Sequence, residues 1–217
     1  MRNKTDSKIY KIIEAASTLP YFNFGDLSPI IKDKVYLKKV FYRYVKSGRL
    51  IRLKKGAYVT KEKIQEIKIQ GAFSSYCEFL ANRLRHPSYL SSEYILSKNG
   101  LLTDAVFSFT SVAKTKTMRF ENKFGKFLYR KIKGKLYCGF NIQERDGFTI
   151  FEATKAKALF DFLYLRKNDL LEKSSIEELR LNLEELSRGD ITEFKKYIKL
   201  ESSAKMAKIA KCIIELL

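Results

Sequence analysis

The sequence predicts an α+β protein in two parts: a small helix-and-hairpin domain over residues 1–63, and an α+β domain over residues 64–217 ending in helices. Three features lead there. Apolar residues recur at helical spacing at both ends of the chain, whereas period-2 alternation rich in aromatics runs from Ala105 to Ala153. Charge is also uneven. Residues 1–63 carry 16 Lys and Arg against 5 Asp and Glu, and residues 64–217 carry 27 against 19.

The N-terminal elements follow in order. Residues 5–18 place Ile9, Ile12, Ile13 and Ala16 on one helical face, with Asp6 or Ser7 as cap and Pro20 as stop. Phe22-Asn23-Phe24 reads as a short strand, Gly25-Asp26 as a turn, and Asp26 as the cap of a short helix near Leu27 to Ile31. From Asp33 the chain reads DKVYLKKVFYRYVKSGRLIRLKKGAYV. Leu37, Val40, Phe41, Tyr44 and Val45 take the spacing of a buried face, so Lys38, Lys39, Tyr42 and Lys46 fall opposite, with Tyr36 and Arg43 at the edges. Ser47-Gly48 ends this helix. Leu50–Leu53, the turn Lys54-Lys55-Gly56 and Ala57–Val59 then form a hairpin, with Tyr58 and Val59 turned to the core.

That order is the order of a winged helix-turn-helix, which offers a cationic helix and a cationic hairpin to DNA. A solvated surface also explains a lysine-rich face. A one-sign face, a Ser-Gly break and a one-sign turn within one short segment favour DNA. Lys38, Lys39, Tyr42, Arg43 and Lys46 are then expected at groove edges or phosphates, and Arg52, Lys54 and Lys55 at phosphates or the minor groove.

In the second part, Lys61–Gly71 reads as a charged connector and Ala72–Arg85 as a helix stopped by His86-Pro87. A serine within Ser88–Ser92 caps a helix to Lys98, closed by Asn99-Gly100. Strands are expected at Val106–Thr110, Thr117–Phe120, Lys126–Ile132, Leu136–Phe140 and Phe148–Ala153, with Arg145-Asp146-Gly147 as a turn. Thr154 caps a helix through Arg166, and Ser175–Ser187, Ile191–Leu200 and Ser203–Leu217 read as helical.

A second basic patch spans Lys114 to Lys135, with nine cations against Glu121 alone. Lys114, Lys116, Arg119, Lys126, Arg130 and Lys131 are its candidate contact residues. On alternating strands they gather on one face while Phe120, Phe124, Phe127 and Tyr129 supply packing. The face is either simply solvated or a surface for nucleic acid or an acidic partner. Asp161 sits four residues after Lys157, so it either pairs with that lysine or serves as a functional carboxylate.

The net charge of +19 favours a polyanionic partner. Three separated cysteines and one histidine, His86, give no metal or catalytic spacing, and no phosphate-binding glycine motif occurs. No metal, cofactor or enzymatic activity is expected. No apolar run approaches a membrane span and the N-terminus lacks a signal-like segment, so a reduced, cytoplasmic setting is expected.

The strings PSYLSSEYILSKNGLL (87–102), FSFTSVAKTKTMRFENKFGKFLYRKI (107–132) and FEATKAKALFDFLYL (151–165), behind GRLIRLKKGAYV (48–59), resemble the AbiEi antitoxin family. These are the antitoxin and transcriptional-regulator halves of type IV toxin–antitoxin and abortive-infection (phage-defence) systems. The resemblance covers most of residues 1–170. The chain departs from the family's pattern at Lys155-Ala156, where a Pro-Glu pair is usual, and at Ser92 and Tyr94, where small or apolar residues are commoner. The resemblance implies an N-terminal winged helix that binds inverted repeats in its own promoter and represses its operon. It also implies a C-terminal domain that counteracts a nucleotidyltransferase-like toxin without a stable complex. Two readings stand beside it. One is a stand-alone winged-helix regulator with a sensing domain; the other is a nucleic-acid enzyme, for which Asp104, Glu121, Asp146, Glu152 and Asp161 suggest no carboxylate cluster.

Overall fold

The computed structural model describes residues 4–27, 33–170 and 172–217. The chain is α+β and divides into two compact units, Met1–Cys77 with Glu121–Phe124, and Glu78–Phe120 with Gly125–Leu217. The first unit thus takes in more than residues 1–63, because the connector is itself a folded helix.

In the first unit, α1 (Lys4–Ser17) buries Ile12 and Ala16 completely. It begins by Lys4, so Asp6 and Ser7 lie inside its first turns and not at its cap. Next, β1 (Phe22–Asn23) leads to a turn in which Asp26 accepts a hydrogen bond from the Asn23 N–H at 2.7 Å. The short helix expected near Leu27 to Ile31 falls largely outside the described residues. Helix α2 (Lys34–Lys46) is capped by Asp33, whose carboxylate accepts from the N–H groups of Val35 and Tyr36. Gly48, at φ +74°, provides the left-handed step that leaves the helix. Strands β2 (Leu50–Lys54) and β3 (Ala57–Thr60) form the hairpin, and the sheet order is β1-β3-β2.

Leu37, Val40 and Phe41 of α2 join Ile12, Phe22, Leu27, Leu50 and Tyr58 in one core, while Tyr44 and Val45 are half-buried at its margin. Phe22, Phe24, Phe41 and Tyr58 form an aromatic cluster with ring centroids 4.9–6.1 Å apart. Residues 61–69, expected as a connector, are a helix (α3, Lys61–Ile69), capped by Thr60 and burying Ile64 and Ile67. Its two buried isoleucines, three apart, were hidden by the charges around them.

The second unit is built on a six-stranded mixed sheet in the order β6-β7-β5-β4-β9-β8. Its strands are β4 (Ser88–Leu90), β5 (Ser108–Ala113), β6 (Met118–Asn122), β7 (Gly125–Lys131), β8 (Phe140–Arg145) and β9 (Phe148–Ala153). Helix α4 (Phe73–Leu84), which enters this unit at Glu78, and α5 (Glu93–Lys98) flank β4 in the chain, and α6 (Lys155–Arg166) follows β9 behind its Thr154 cap. The chain ends in α7 (Lys173–Glu177), α8 (Arg188–Glu201) and α9 (Ala204–Glu215), the last capped by Ser203.

Several expectations need correction. Ser88–Leu90 is a buried central strand, pairing antiparallel with β5 and parallel with β9, and Ser92 makes no side-chain cap bond to α5. Strand β5 starts at Ser108, leaving Phe107 89% exposed. Leu136–Phe140 is not a strand: a 3-10 turn at Gly134–Leu136 precedes β8. Gly139 stands between them at φ +74°, and a Cβ there would meet the Tyr197 hydroxyl at 2.1 Å. Within Ser175–Ser187 the helix stops early and the chain turns at Arg180, φ +46°.

The buried ionised side chains described in this unit, Glu78, Lys157, Asp161 and Glu201, all stand in ion pairs. Lys157 and Asp161 form an ion pair within α6 with neither side chain exposed. Asp161 also accepts from Tyr89 Oη at 2.9 Å and Ser91 Oγ at 2.8 Å, both on or beside β4. The Lys157 ammonium lies over the Phe160 and Tyr197 rings at 4.8 and 5.3 Å. Burial pushes the Asp161 carboxyl above the usual carboxylate range, against the pull of Lys157 and the two hydroxyls. A second cluster joins Glu78 of α4 to Tyr94 and Lys98 of α5 and to Arg145 of β8, with Glu152 of β9 pairing the same two cations.

At the junction of α8 and α9, Glu201 accepts from Lys167 Nζ and the Ser203 N–H, each at 2.9 Å. Burial raises its carboxyl, but the bonds from Ser203 and Lys167 outweigh that and bring it down to about 2.

Two stability outcomes follow from these groups. Asp161→Ala strands a buried ammonium and is expected to cost about 3–5 kcal/mol, whereas Lys157→Met/Asp161→Leu together recovers much of that loss. Denaturant unfolding checks this, and a single variant within 1 kcal/mol of wild type refutes it. Because the Glu201 carboxyl is depressed on folding, its contribution, on the order of 2 kcal/mol, is present above about pH 4.5 and lost as pH falls toward 2. Glu201→Gln should flatten that part of the pH–stability curve; an unchanged curve would show that Glu201 does not supply it.

Candidate nucleic-acid interface

The core-facing stripe of α2 decides what the rest of the helix presents. With Leu37, Val40 and Phe41 fixed inward, Lys38, Lys39, Tyr42, Arg43 and Lys46 are all exposed, and Tyr42 is 70% exposed. Tyr36, Lys38, Lys39, Tyr42 and Arg43 line an open depression of about 590 Å³. Two tyrosine rings thus lie among three cations on one helix face. The Tyr36 hydroxyl is buried and has no hydrogen-bond partner among the described residues. Lys46 stands one turn beyond Tyr42 at the C-terminal end of the same helix.

No carboxylate among the described residues lies within ion-pairing distance of Lys38, Lys39, Arg43 or Lys46. The unneutralised charge leaves a positive potential on this face. That contrasts with the second unit, whose buried acids are each matched to cations.

Arg52, Lys54 and Lys55 stand on the hairpin and take no part in lining the depression. Arg52 and Lys55 are exposed and Lys54 is half-buried. The β2–β3 ladder shifts register between Arg52 and Lys54, which makes Leu53 the extra residue of a bulge. The Arg52 Nε donates across it to the Lys54 carbonyl at 3.4 Å, so this arginine partly serves the turn. Tyr58 and Val59 are both buried, so β3 is covered on both of its faces.

The second basic patch lies on the β6–β7 hairpin and its flanks. Phe120 packs edge-on to Tyr129, with Phe127 buried beside it, so Arg119, Lys126 and Arg130 share the opposite, outward face. Lys131 is exposed at the end of β7 but has the parity of Phe127 and Tyr129. Lys114 and Lys116 follow β5, and Lys114 lies 4.9 Å over the Tyr137 ring. The single-face expectation thus holds for three of the six residues. Phe124 does not pack under this sheet: it belongs to the first unit, edge-on to Phe73 and Tyr76.

Asp161 resolves to the Lys157 pair, with its remaining oxygen taken by Tyr89 and Ser91. Among the described residues no group of three or more His, Cys, Asp or Glu is placed to hold a metal ion. No helix there is long and apolar enough to cross a membrane. Sequence reasoning missed the Glu78–Lys98–Arg145–Glu152 cluster, whose members lie up to 74 positions apart, and it missed Asn122. No family model matches the chain, and no curated protein is significantly similar to it.

The α2 face depends on the Asp33 cap. Asp33→Ala leaves the Val35 and Tyr36 N–H groups without their acceptor and should lower stability by about 1 kcal/mol. Thermal unfolding followed by circular dichroism measures it, and an unchanged midpoint counts against the cap.

Proposed function

We propose that the chain is a DNA-binding antitoxin of the AbiEi type, with a winged helix-turn-helix formed by its N-terminal unit. One observation carries the DNA-binding half: a 13-residue helix turns one face into the core and a row of unpaired cations with Tyr42 outward, and a basic hairpin follows within four residues. In this reading α2 is the recognition helix and β2–β3 the wing. Lysine and arginine meet guanine edges or phosphates there, and Tyr42 donates to a phosphate oxygen. Lys54 and Lys55 at the wing tip, with Arg52 beneath them, meet the neighbouring backbone.

The antitoxin half rests on the sequence resemblance. The chain represses its own operon through promoter inverted repeats, which takes at least two copies on DNA, and opposes a nucleotidyltransferase-like toxin without a stable complex. Arg119, Lys126 and Arg130 on β6–β7 offer a second polyanion-binding face, with Lys114, Lys116 and Lys131 at its ends.

A gel shift on the chain's own upstream DNA tests this. Wild type should bind specifically, and Lys38→Glu/Lys39→Glu/Lys54→Glu/Lys55→Glu should lose that binding. With six to eight phosphates neutralised, log K should fall with log salt at a slope of about −5 to −7. A slope near zero, or equal binding by the variant, would sink the reading. Toxin rescue by co-expression separates an antitoxin from a stand-alone regulator.

A further inference from the structure

The tip of the β6–β7 hairpin, Glu121–Phe124, belongs to the first compact unit. Its anchor there is Asn122. The Asn122 Nδ2 donates to the Leu53 carbonyl at 3.0 Å, and its Oδ1 accepts from the Phe124 N–H at 2.8 Å. Both ends of the amide are therefore engaged, and the bond from Phe124 fixes which end faces the hairpin. Phe124 is held in turn by the Phe73 and Tyr76 rings at 5.5 and 6.1 Å. Tyr76 is fully buried and donates its hydroxyl to the Pro20 carbonyl at 2.8 Å.

The residue that Asn122 grips is the bulged one. Leu53 is the extra residue between the Arg52↔Tyr58 and Lys54↔Ala57 pairs, and β2 is an edge strand of its sheet. An edge carbonyl at a bulge has no ladder partner of its own, and a bulge sets the twist and aim of the residues that follow it. Those residues are Lys54 and Lys55. Gly56, at φ +83°, closes the turn directly after them.

We infer that Asn122 is a positioning residue for DNA binding: by holding the Leu53 carbonyl it fixes the bulge and so the direction in which Lys54 and Lys55 leave the hairpin. This rests on the winged-helix reading above. Asn122 does not itself touch DNA; it acts through the wing.

The test uses the full chain and Asn122→Asp. Aspartate keeps the acceptor for the Phe124 N–H but sets a carboxylate against the Leu53 carbonyl, so only the wing bond is lost. Asn122→Ser, smaller and uncharged, is the second variant should the first fail to fold. Two readouts are taken. Amide hydrogen exchange at Lys55 and Gly56 should speed up about tenfold without DNA, and specific DNA affinity should fall about five- to tenfold. In a Lys54→Ala/Lys55→Ala background the affinity effect should shrink below about twofold, whereas in a Lys38→Ala/Lys39→Ala background it should persist in full. Unchanged exchange at the wing, or an equal loss in the wing-less background, overturns the positioning role while leaving DNA binding intact. Absence of specific binding by wild type overturns the winged-helix reading and the role with it.

Discussion

The buried Lys157–Asp161 pair is the constraint around which the second unit is organised. Taking two ions out of water costs several kcal/mol each, and that is offset only where geometry and hydrogen bonds are complete. Here completion draws on separate parts of the chain. Tyr89 and Ser91 come from the central strand, Phe160 from the same helix, and Tyr197 from α8. Moving α6 by one turn would carry the pair away from Tyr89, Ser91 and Tyr197, leaving only the contacts within the helix. Gly139 shows how tight the surroundings are, since the Tyr197 hydroxyl occupies the space of its missing side chain.

Charge is partitioned between inside and outside. Glu78, Glu152, Asp161 and Glu201 each spend their charge on cations within the fold. The excess behind the net charge of +19 is therefore left on surfaces, including α2, the first hairpin and the outward side of β6–β7. Like charges gathered on one such surface repel each other. Composition alone reveals the excess; only the fold reveals which cations remain without a carboxylate partner.

Much of the first unit was legible from spacing, because its core is local. Ile12, Ala16, Leu37, Val40 and Phe41 announce their faces at helical period, and Gly48 and Gly56 mark an end and a turn by residue type. Thr154 was equally plain as a cap. What escaped was non-local or masked by polarity. Ser88–Leu90 is too short to alternate visibly, and its strand state comes from having β5 and β9 on either side. Strand β8, Phe140–Arg145, is an edge with four exposed residues in a row, so it carries little hydrophobic pattern. For the candidate interface, the cationic row on α2 was readable. The grip of Asn122 on Leu53, 69 positions away, has no sequence signature.

The two-residue turn Asp146-Gly147, at φ +50° and +76°, and the buried cluster beside it together act as a register lock on β8. Arg145 shares its face of the sheet with Glu152 and reaches Glu78, while Ile142 and Glu144 point the other way. Sliding β8 by one residue would turn Arg145 outward and bring Glu144 round toward two carboxylates. Attraction in the native pairing becomes repulsion in the nearest wrong one. An inward-pointing charge on an edge strand also makes it a poor template for a neighbouring chain. The four-charge cluster thus guards the sheet against misalignment and against intermolecular growth at once.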